Sequence, residues 1–215
     1  MAQKGQTPQA GPEQEGQQEK YTGTSKDKLV NSGLEVNKEK TASKRPFLEN
    51  VADLIEAKCL CLPANTKSKY PDGIRWSKYS APISLDEFKA LKNGFNGVCV
   101  LTGKKSGNLE VLDFDPKLAG NLFNQMLGEY KKQVEAEKPG LLLKLPIEKS
   151  QSGGRHIFYR CSEVKIPGNQ KLAKIDKENA IIETRGEGGL IVCWPSPGYS
   201  ISQNSLTNIP TITAE

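Results

Sequence analysis

The run Val111-Leu112-Asp113-Phe114-Asp115 sets two carboxylates two residues apart among apolar neighbours. Side chains along an extended strand alternate between faces. A strand here puts Asp113 and Asp115 on one side and turns Leu112 and Phe114 into a core on the other. A sheet with a buried face is therefore the frame that the rest of the chain must fit. Other apolar runs suit that frame: Cys59 to Pro63, Gly97 to Gly103, Asn108 to Asp115, Leu141 to Leu145, Arg155 to Cys161, Ala180 to Arg185 and Leu190 to Trp194. They are short and separated by turn residues, as strands are.

Helical spacing occurs in three places. Phe47, Val51, Leu54 and Ile55 share a face in a segment reaching about Lys58. Ser84-Leu85-Asp86-Glu87 has the arrangement of a capping box, with Phe88 and Leu91 following. Leu118, Leu122, Phe123, Met126, Leu127, Tyr130 and Val134 then recur at helical spacing after Asp115-Pro116, a pair that suits a helix start. Strands with interspersed helices and no strict βαβ alternation predict an α+β fold, a mixed β-sheet with flanking helices. Residues 1–45 are rich in Gln, Glu, Lys, Gly, Ser and Thr, with too little apolar surface to offset the entropy of ordering. They are predicted to be a disordered polar tail, which leaves 46–215 as one folded domain.

Charge narrows the partners only slightly. Lys and Arg total 30 against 25 Asp and Glu, a net charge of +5, which suits a polyanion but does not demand one. No run approaches the roughly 18 apolar residues of a membrane span, and the N-terminus lacks a secretory signal, so a cytoplasmic protein without a membrane partner is expected. The five cysteines, Cys59, Cys61, Cys99, Cys161 and Cys193, mostly lie inside apolar runs and lack the spacing of a zinc site. They read as small core residues.

The chemistry-bearing residues are few. The only histidine, His156, closes Ser152-Gly153-Gly154-Arg155-His156. A third acid, Glu183, sits in Ala180-Ile181-Ile182-Glu183-Thr184-Arg185, ahead of the turn Gly186-Glu187-Gly188-Gly189. Paired carboxylates, a third one, a histidine after a glycine turn and an arginine are the parts of a metal-dependent phosphoryl-transfer site. Each part also has a plainer reading. Asp115 before Pro116 suits a helix N-cap. The Ser-Gly-Gly run suits a hairpin turn with Arg155 and His156 as solvated strand residues. Glu183 suits a salt bridge, with Arg185 as its partner. Asp113 has no comparable alternative, because a carboxylate between apolar neighbours loses hydration unless it gains a partner. Gly103-Lys104-Lys105-Ser106 lacks the spacing of a phosphate-binding P-loop. Trp76, in the basic loop between Asn65 and Tyr79, reads as a packing residue.

Taken in order, Leu60-Cys61-Leu62-Pro63, Lys67-Ser68-Lys69-Tyr70-Pro71 with Trp76, Val100-Leu101-Thr102-Gly103, Leu112-Asp113-Phe114-Asp115, Ser152-Gly153-Gly154-Arg155-His156 and Ile182-Glu183-Thr184-Arg185-Gly186 form a pattern. It resembles the catalytic domain of the bifunctional primase/polymerase (prim-pol) family within the archaeo-eukaryotic primase superfamily. The likeness spans roughly Val51 to Ser200. It implies that Asp113 and Asp115 are metal ligands of a first motif, Ser152 and His156 belong to a nucleotide-binding second motif, and Glu183 is the acid of a third. That third motif often carries aspartate, so the longer glutamate is a departure. Gly153 and Gly154 would let the backbone approach the phosphates, and Arg185 would add a phosphate contact.

The resemblance implies template-directed nucleotidyl transfer by two Mg²⁺ or Mn²⁺ ions: a DNA polymerase with primase activity, serving replication of a plasmid, phage or other mobile element. Hard cations prefer oxygen donors, which favours Asp113, Asp115 and Glu183 over any cysteine. Expected partners are single-stranded or primed DNA, deoxynucleoside triphosphates or ribonucleotides, and a helicase or helical accessory domain downstream or in trans. A metal-dependent nuclease or phosphohydrolase, and a non-catalytic nucleic-acid-binding module, are the alternatives.

Overall fold

A computed structural model describes residues 45–213 apart from 93, 118–120, 163 and 178. The polar tail read at residues 1–45 lies outside this range except for Arg45. In chain order the elements are α1 (Phe47–Glu56), β1 (Leu60–Ala64), α2 (Leu85–Leu91), β2 (Gly97–Leu101), β3 (Leu109–Phe114), α3 (Asn121–Glu137), α4 (Leu141–Lys144), β4 (Ile147–Lys149), β5 (Arg155–Cys161), β6 (Gln170–Lys174), β7 (Ala180–Arg185), β8 (Leu190–Cys193), β9 (Ser200–Gln203) and β10 (Thr211–Ile212). The fold is α+β, with mixed strand pairing and flanking helices.

Two sheets form. A three-stranded sheet runs β1-β2-β8, and a larger one runs β6-β7-β3-β5-β4-β9, with β10 pairing in parallel to β5 and every other pair antiparallel. Alternation along β3 decides what each face does. Leu109 and Val111 enter a core shared with the three-stranded sheet, α1 and α2, while Leu112 and Phe114 enter a second core beneath α3 and α4. The same parity on β5 sends Phe158 to the first core and Ile157 to the second.

The helices form for legible reasons. Ser84 caps α2 by accepting the Glu87 N–H at 3.2 Å, and the Glu87 carboxylate accepts the Ser84 N–H at 2.8 Å, completing the capping box. In α3, Phe123, Met126, Leu127, Tyr130 and Val134 turn to the second core, where the Tyr130 ring meets Phe114 edge-on at 5.0 Å. This helix is described only from Asn121. Pro116 and Lys117 form a turn rather than a first helical turn, because Asp115 still donates its N–H to Ile181 O in the sheet ladder.

Leu141 to Leu145, predicted as a strand, instead forms the short helix α4. Gly140 before it adopts a left-handed conformation, and the Glu135 carboxylate accepts the Gly140 N–H. With Leu142 buried and Leu143 exposed, the segment buries one side only. The short strands β4, β6, β9 and β10 carry too few residues, or too many polar ones, to announce themselves in the sequence.

The cysteines are free, and all are buried except Cys161, which is half-buried. Burial pushes the Cys59 thiol up to about 11 and that of Cys99 up to about 12, so neither offers a thiolate at neutral pH. Trp76 packs against the first core with Tyr70 at its edge, 5.5 Å between ring centres.

Candidate active site

Where the first core ends, the same sheet face turns from apolar to charged within one strand step. On β3, Val111 gives way to Asp113. On β5, Phe158 gives way to His156 as the strand is followed backwards. Strand register then aligns four titratable groups side by side: Glu148 on β4 lies opposite His156, His156 opposite Asp113, and Asp113 opposite Glu183 on β7. Directly opposed side chains lie within about 5 Å at Cβ, so such a row interacts strongly.

The contacts follow. His156, 5 % exposed, places Nε2 3.4 Å from Asp113 Oδ1 and donates from Nδ1 to Glu148 Oε1 at 2.6 Å. Arg185, two residues beyond Glu183 and so on the same face, reaches Asp113 Oδ2 at 2.9 Å and Glu183 Oε1 at 2.5 Å through Nη2. One cationic nitrogen thus sits between the two carboxylates.

Electrostatics hold the row in a defined charge state. Burial alone would lower the His156 pKa, but the carboxylates of Asp113 and Glu148 on its two ring nitrogens raise it to about 9. Burial pushes Asp113 upward, and His156 and Arg185 more than reverse this, leaving it below the usual range. Burial raises the Glu148 carboxyl, against the pull of His156 and the Trp194 N–H. At neutral pH the imidazole is therefore an imidazolium, a donor at both nitrogens.

A stability profile with a definite sign follows. A histidine whose proton affinity is raised on folding stabilises the fold fully below its unfolded value of about 6.5 and loses that contribution as pH rises through about 9. At about 1.4 kcal/mol per tenfold change in proton affinity, the loss is on the order of a few kcal/mol. Asp113 acts in the opposite range: its contribution is present above pH 3.8 and lost as pH falls through its folded value. Urea midpoints at pH 6, 8 and 10 are expected to fall for the wild type relative to His156→Gln; parallel profiles would refute the charged imidazole.

The other predicted residues are placed as follows. Asp115 is one-third exposed and pairs with Lys117 at 3.3 Å, apart from the bridged acids. Ser150 to Gly154 form the β4–β5 hairpin turn, closed by Ser150 N–H to Gly154 O and Gly153 N–H to Ser150 O. The hairpin reading of Ser152-Gly153-Gly154 is thus met, whereas His156 is buried rather than solvated. Ser152 is exposed on the turn with its Oγ 3.3 Å from Ser150 Oγ. Gly153 has φ of 92°, a conformation that favours glycine. Arg155 points to the other face and folds back onto the Gly153 and Gly154 carbonyls. Lys104 donates its backbone N–H to Glu187, tying the basic turn to the turn after β7.

Among the described residues, no three His, Cys, Asp or Glu side chains are gathered as a metal cluster. Asp113 and Glu183 are oxygen donors of the kind a hard cation prefers, and both contact one positive nitrogen, Arg185 Nη2. Reading the sequence missed Glu148. Its only signal was indirect: counting outward from a hairpin turn at 150–154 pairs residue 149 with 155 and 148 with 156.

The order of these motifs along the chain matches a known family model, bifunctional DNA primase/polymerase, N-terminal (Prim-Pol), over residues 28–211. The chain belongs to the Prim-Pol family. The match begins inside the segment read as the polar tail. It carries with it a function of the DNA primase/polymerase type, acting on a DNA template with nucleotide substrates. No curated protein matches the chain in sequence. Among the described residues of this Prim-Pol domain, no helix is long and apolar enough to cross a membrane.

Proposed function

We propose that the row Glu148-His156-Asp113-Glu183 is the centre of a template-directed nucleotidyl transferase, which extends DNA and serves replication of a plasmid, phage or other mobile element. The observation that supports this most is the direct opposition of Asp113 to both His156 and Glu183 across three adjacent strands. It brings the acid of the first motif, the histidine of the second and the acid of the third onto one face at the rim of a core.

Asp113 and Glu183, with Asp115 from the solvent side, would hold Mg²⁺ or Mn²⁺. Bound there, a pair of divalent ions neutralises charge on the attacking and leaving oxygens of a phosphoryl displacement. The protein's own groups do the rest. The His156 imidazolium offers an Nε2–H at the edge of the acids, a charged donor for triphosphate oxygens. Arg185 pairs with both Asp113 and Glu183 and supplies a second donor for phosphate. The Ser152 hydroxyl on the exposed hairpin turn adds a neutral donor. The core beneath the row fixes these groups on strands rather than loops, so little reorganisation is needed when charge develops.

The test is incorporation of labelled deoxynucleotides and ribonucleotides on single-stranded DNA, with and without an annealed primer, in Mg²⁺ and in Mn²⁺. Primer extension by the wild type is the expected outcome, and products without a primer would add priming. DNA degradation without added nucleotides would replace the proposal with a nuclease. Salt-sensitive DNA binding indifferent to metal and triphosphate would replace it with a binding module.

A further inference from the structure

Glu148 is the most deeply buried charged residue of the row, with no exposed surface. Taking a carboxylate out of water costs several kcal/mol unless both oxygens find partners. Both do. Oε1 accepts from His156 Nδ1 at 2.6 Å, and Oε2 accepts the Trp194 N–H at 2.8 Å. A neutral acceptor would satisfy the Trp194 amide equally well. Only the imidazole calls for a full negative charge at this position. Buried ion pairs also contribute little net stability compared with apolar packing, so holding the two sheets together does not explain the choice of glutamate.

The surroundings of the ring point the same way. Phe158 and Tyr199 lie beside the His156 ring at centroid distances of 6.3 and 6.0 Å, so aromatic neighbours and the Glu148 carboxylate together hold it in place. The Glu148 carboxylate fixes Nδ1, and the remaining nitrogen then faces Asp113. We infer that Glu148 is the positioning residue for His156, holding Nδ1 as a donor so that the ring keeps Nε2 beside Asp113, where the nucleotide triphosphate binds. This rests on the nucleotidyl-transfer reading for its substrate and adds a residue that lies outside the three sequence motifs.

The experiment compares wild type, E148Q, H156N and the double variant E148Q/H156N in primer extension, with folding checked by thermal unfolding. Removing a carboxylate that orients a metal-ligating histidine typically costs about 10- to 100-fold, and a loss of that order is expected here for an oriented nucleotide-binding histidine. For E148Q that loss is expected in KM for the nucleotide, while KM for primed DNA is unchanged. A structural defect would instead lower kcat through an inactive fraction. In the H156N background E148Q is expected to add less than a twofold loss, because its effect passes through the ring. Equal losses in both backgrounds, or E148Q activity within twofold of wild type, would overturn the inference.

A measurement independent of catalysis uses the fact that His156 is the only histidine. In the wild type a single, strongly downfield imidazole N–H proton is expected by NMR, lost in E148Q. Its absence from the wild type would overturn the inference even if E148Q failed to fold. If the wild type extended no primer, the polymerase reading would fall. The proton, and the effect of E148Q on Mn²⁺–dATP affinity, would then decide the role of Glu148 by themselves.

Discussion

Asp113→Asn is expected to lower nucleotide incorporation about a thousandfold while leaving the domain folded. The carboxylate lies between the two cations of the row, with one oxygen near His156 Nε2 and the other on Arg185. Asparagine keeps the shape but offers one acceptor oxygen where two cationic donors converge. The fold tolerates this because each cation keeps a second partner: His156 retains Glu148, and Arg185 retains Glu183. The stability cost is expected to be about 1–2 kcal/mol, the ordinary price of an under-satisfied buried donor. Melting and incorporation should be read on the same sample. Asp115→Asn is the informative companion, since that side chain is one-third exposed and paired with Lys117. It is expected to lose incorporation with almost no change in melting. Incorporation within tenfold of wild type for Asp113→Asn would end the assignment of the acidic row as the catalytic centre.

Gly154→Ala is expected to be the most damaging single methyl group in the hairpin. A Cβ at this position points into the Phe114 carbonyl, with Pro116 Cδ and Ser150 Oγ each at 3.0 Å. The first obstacle is backbone in the central strand of the sheet, one residue from Asp113 and one from Asp115, so it cannot yield without moving the site. Overpacking of this kind costs up to about 3 kcal/mol, and at this chain length each kcal/mol lowers the melting midpoint by about 2–4 °C. Gly153→Ala meets open space but inherits a φ of 92°, and is expected to cost about 1–2 kcal/mol through strain alone. Gly128→Ala, on α3 with nothing within 4 Å, should stabilise by up to about 1 kcal/mol. Melting curves for the three variants check the ordering; Gly154→Ala melting within 2 °C of wild type would show that the hairpin does not pack on β3 as described.

The close approach explains why glycine stands at residue 154 without any appeal to phosphate. Its hydrogen atom allows the hairpin to lie against the end of β3, and this seats His156 opposite Asp113. The same holds for Glu183. Its salt bridge to Arg185 is the plain structural reading, yet the bridge also marks where a cation is stabilised between two acids. For both residues the structural and functional readings describe the same contacts.

Strand alternation is a local property, and so are capping and helical spacing. That is why β3, β5, β7, α1, α2 and most of α3 were legible from the residues, and why Asp113, His156 and Glu183 stood out as candidates. The failures share one cause. At Leu141–Leu145 an apolar run had the composition of a buried strand, but the left-handed Gly140 and the burial of one side made it a helix. At Asp115-Pro116 continued pairing with β7 delayed the helix that the dipeptide invited. The pairing at Asp115 needs Ile181, and the α4 carbonyls of Leu142 and Leu143 accept from Gln203 and Asn204, so both outcomes draw on residues distant in the chain. Local pattern alone shows which side chains share a face and picks out Asp113, His156 and Glu183 as the candidates for chemistry. The register of β3 with β5 and β7, strands far from it along the chain, came only with tertiary packing: it set His156 and Glu183 beside Asp113 and placed Arg185 between two acids, whereas Glu148 follows from the local β4–β5 hairpin. Outside hairpins, pairing between strands is a long-range choice, fixed here when the cores on both faces of β3 are filled at once.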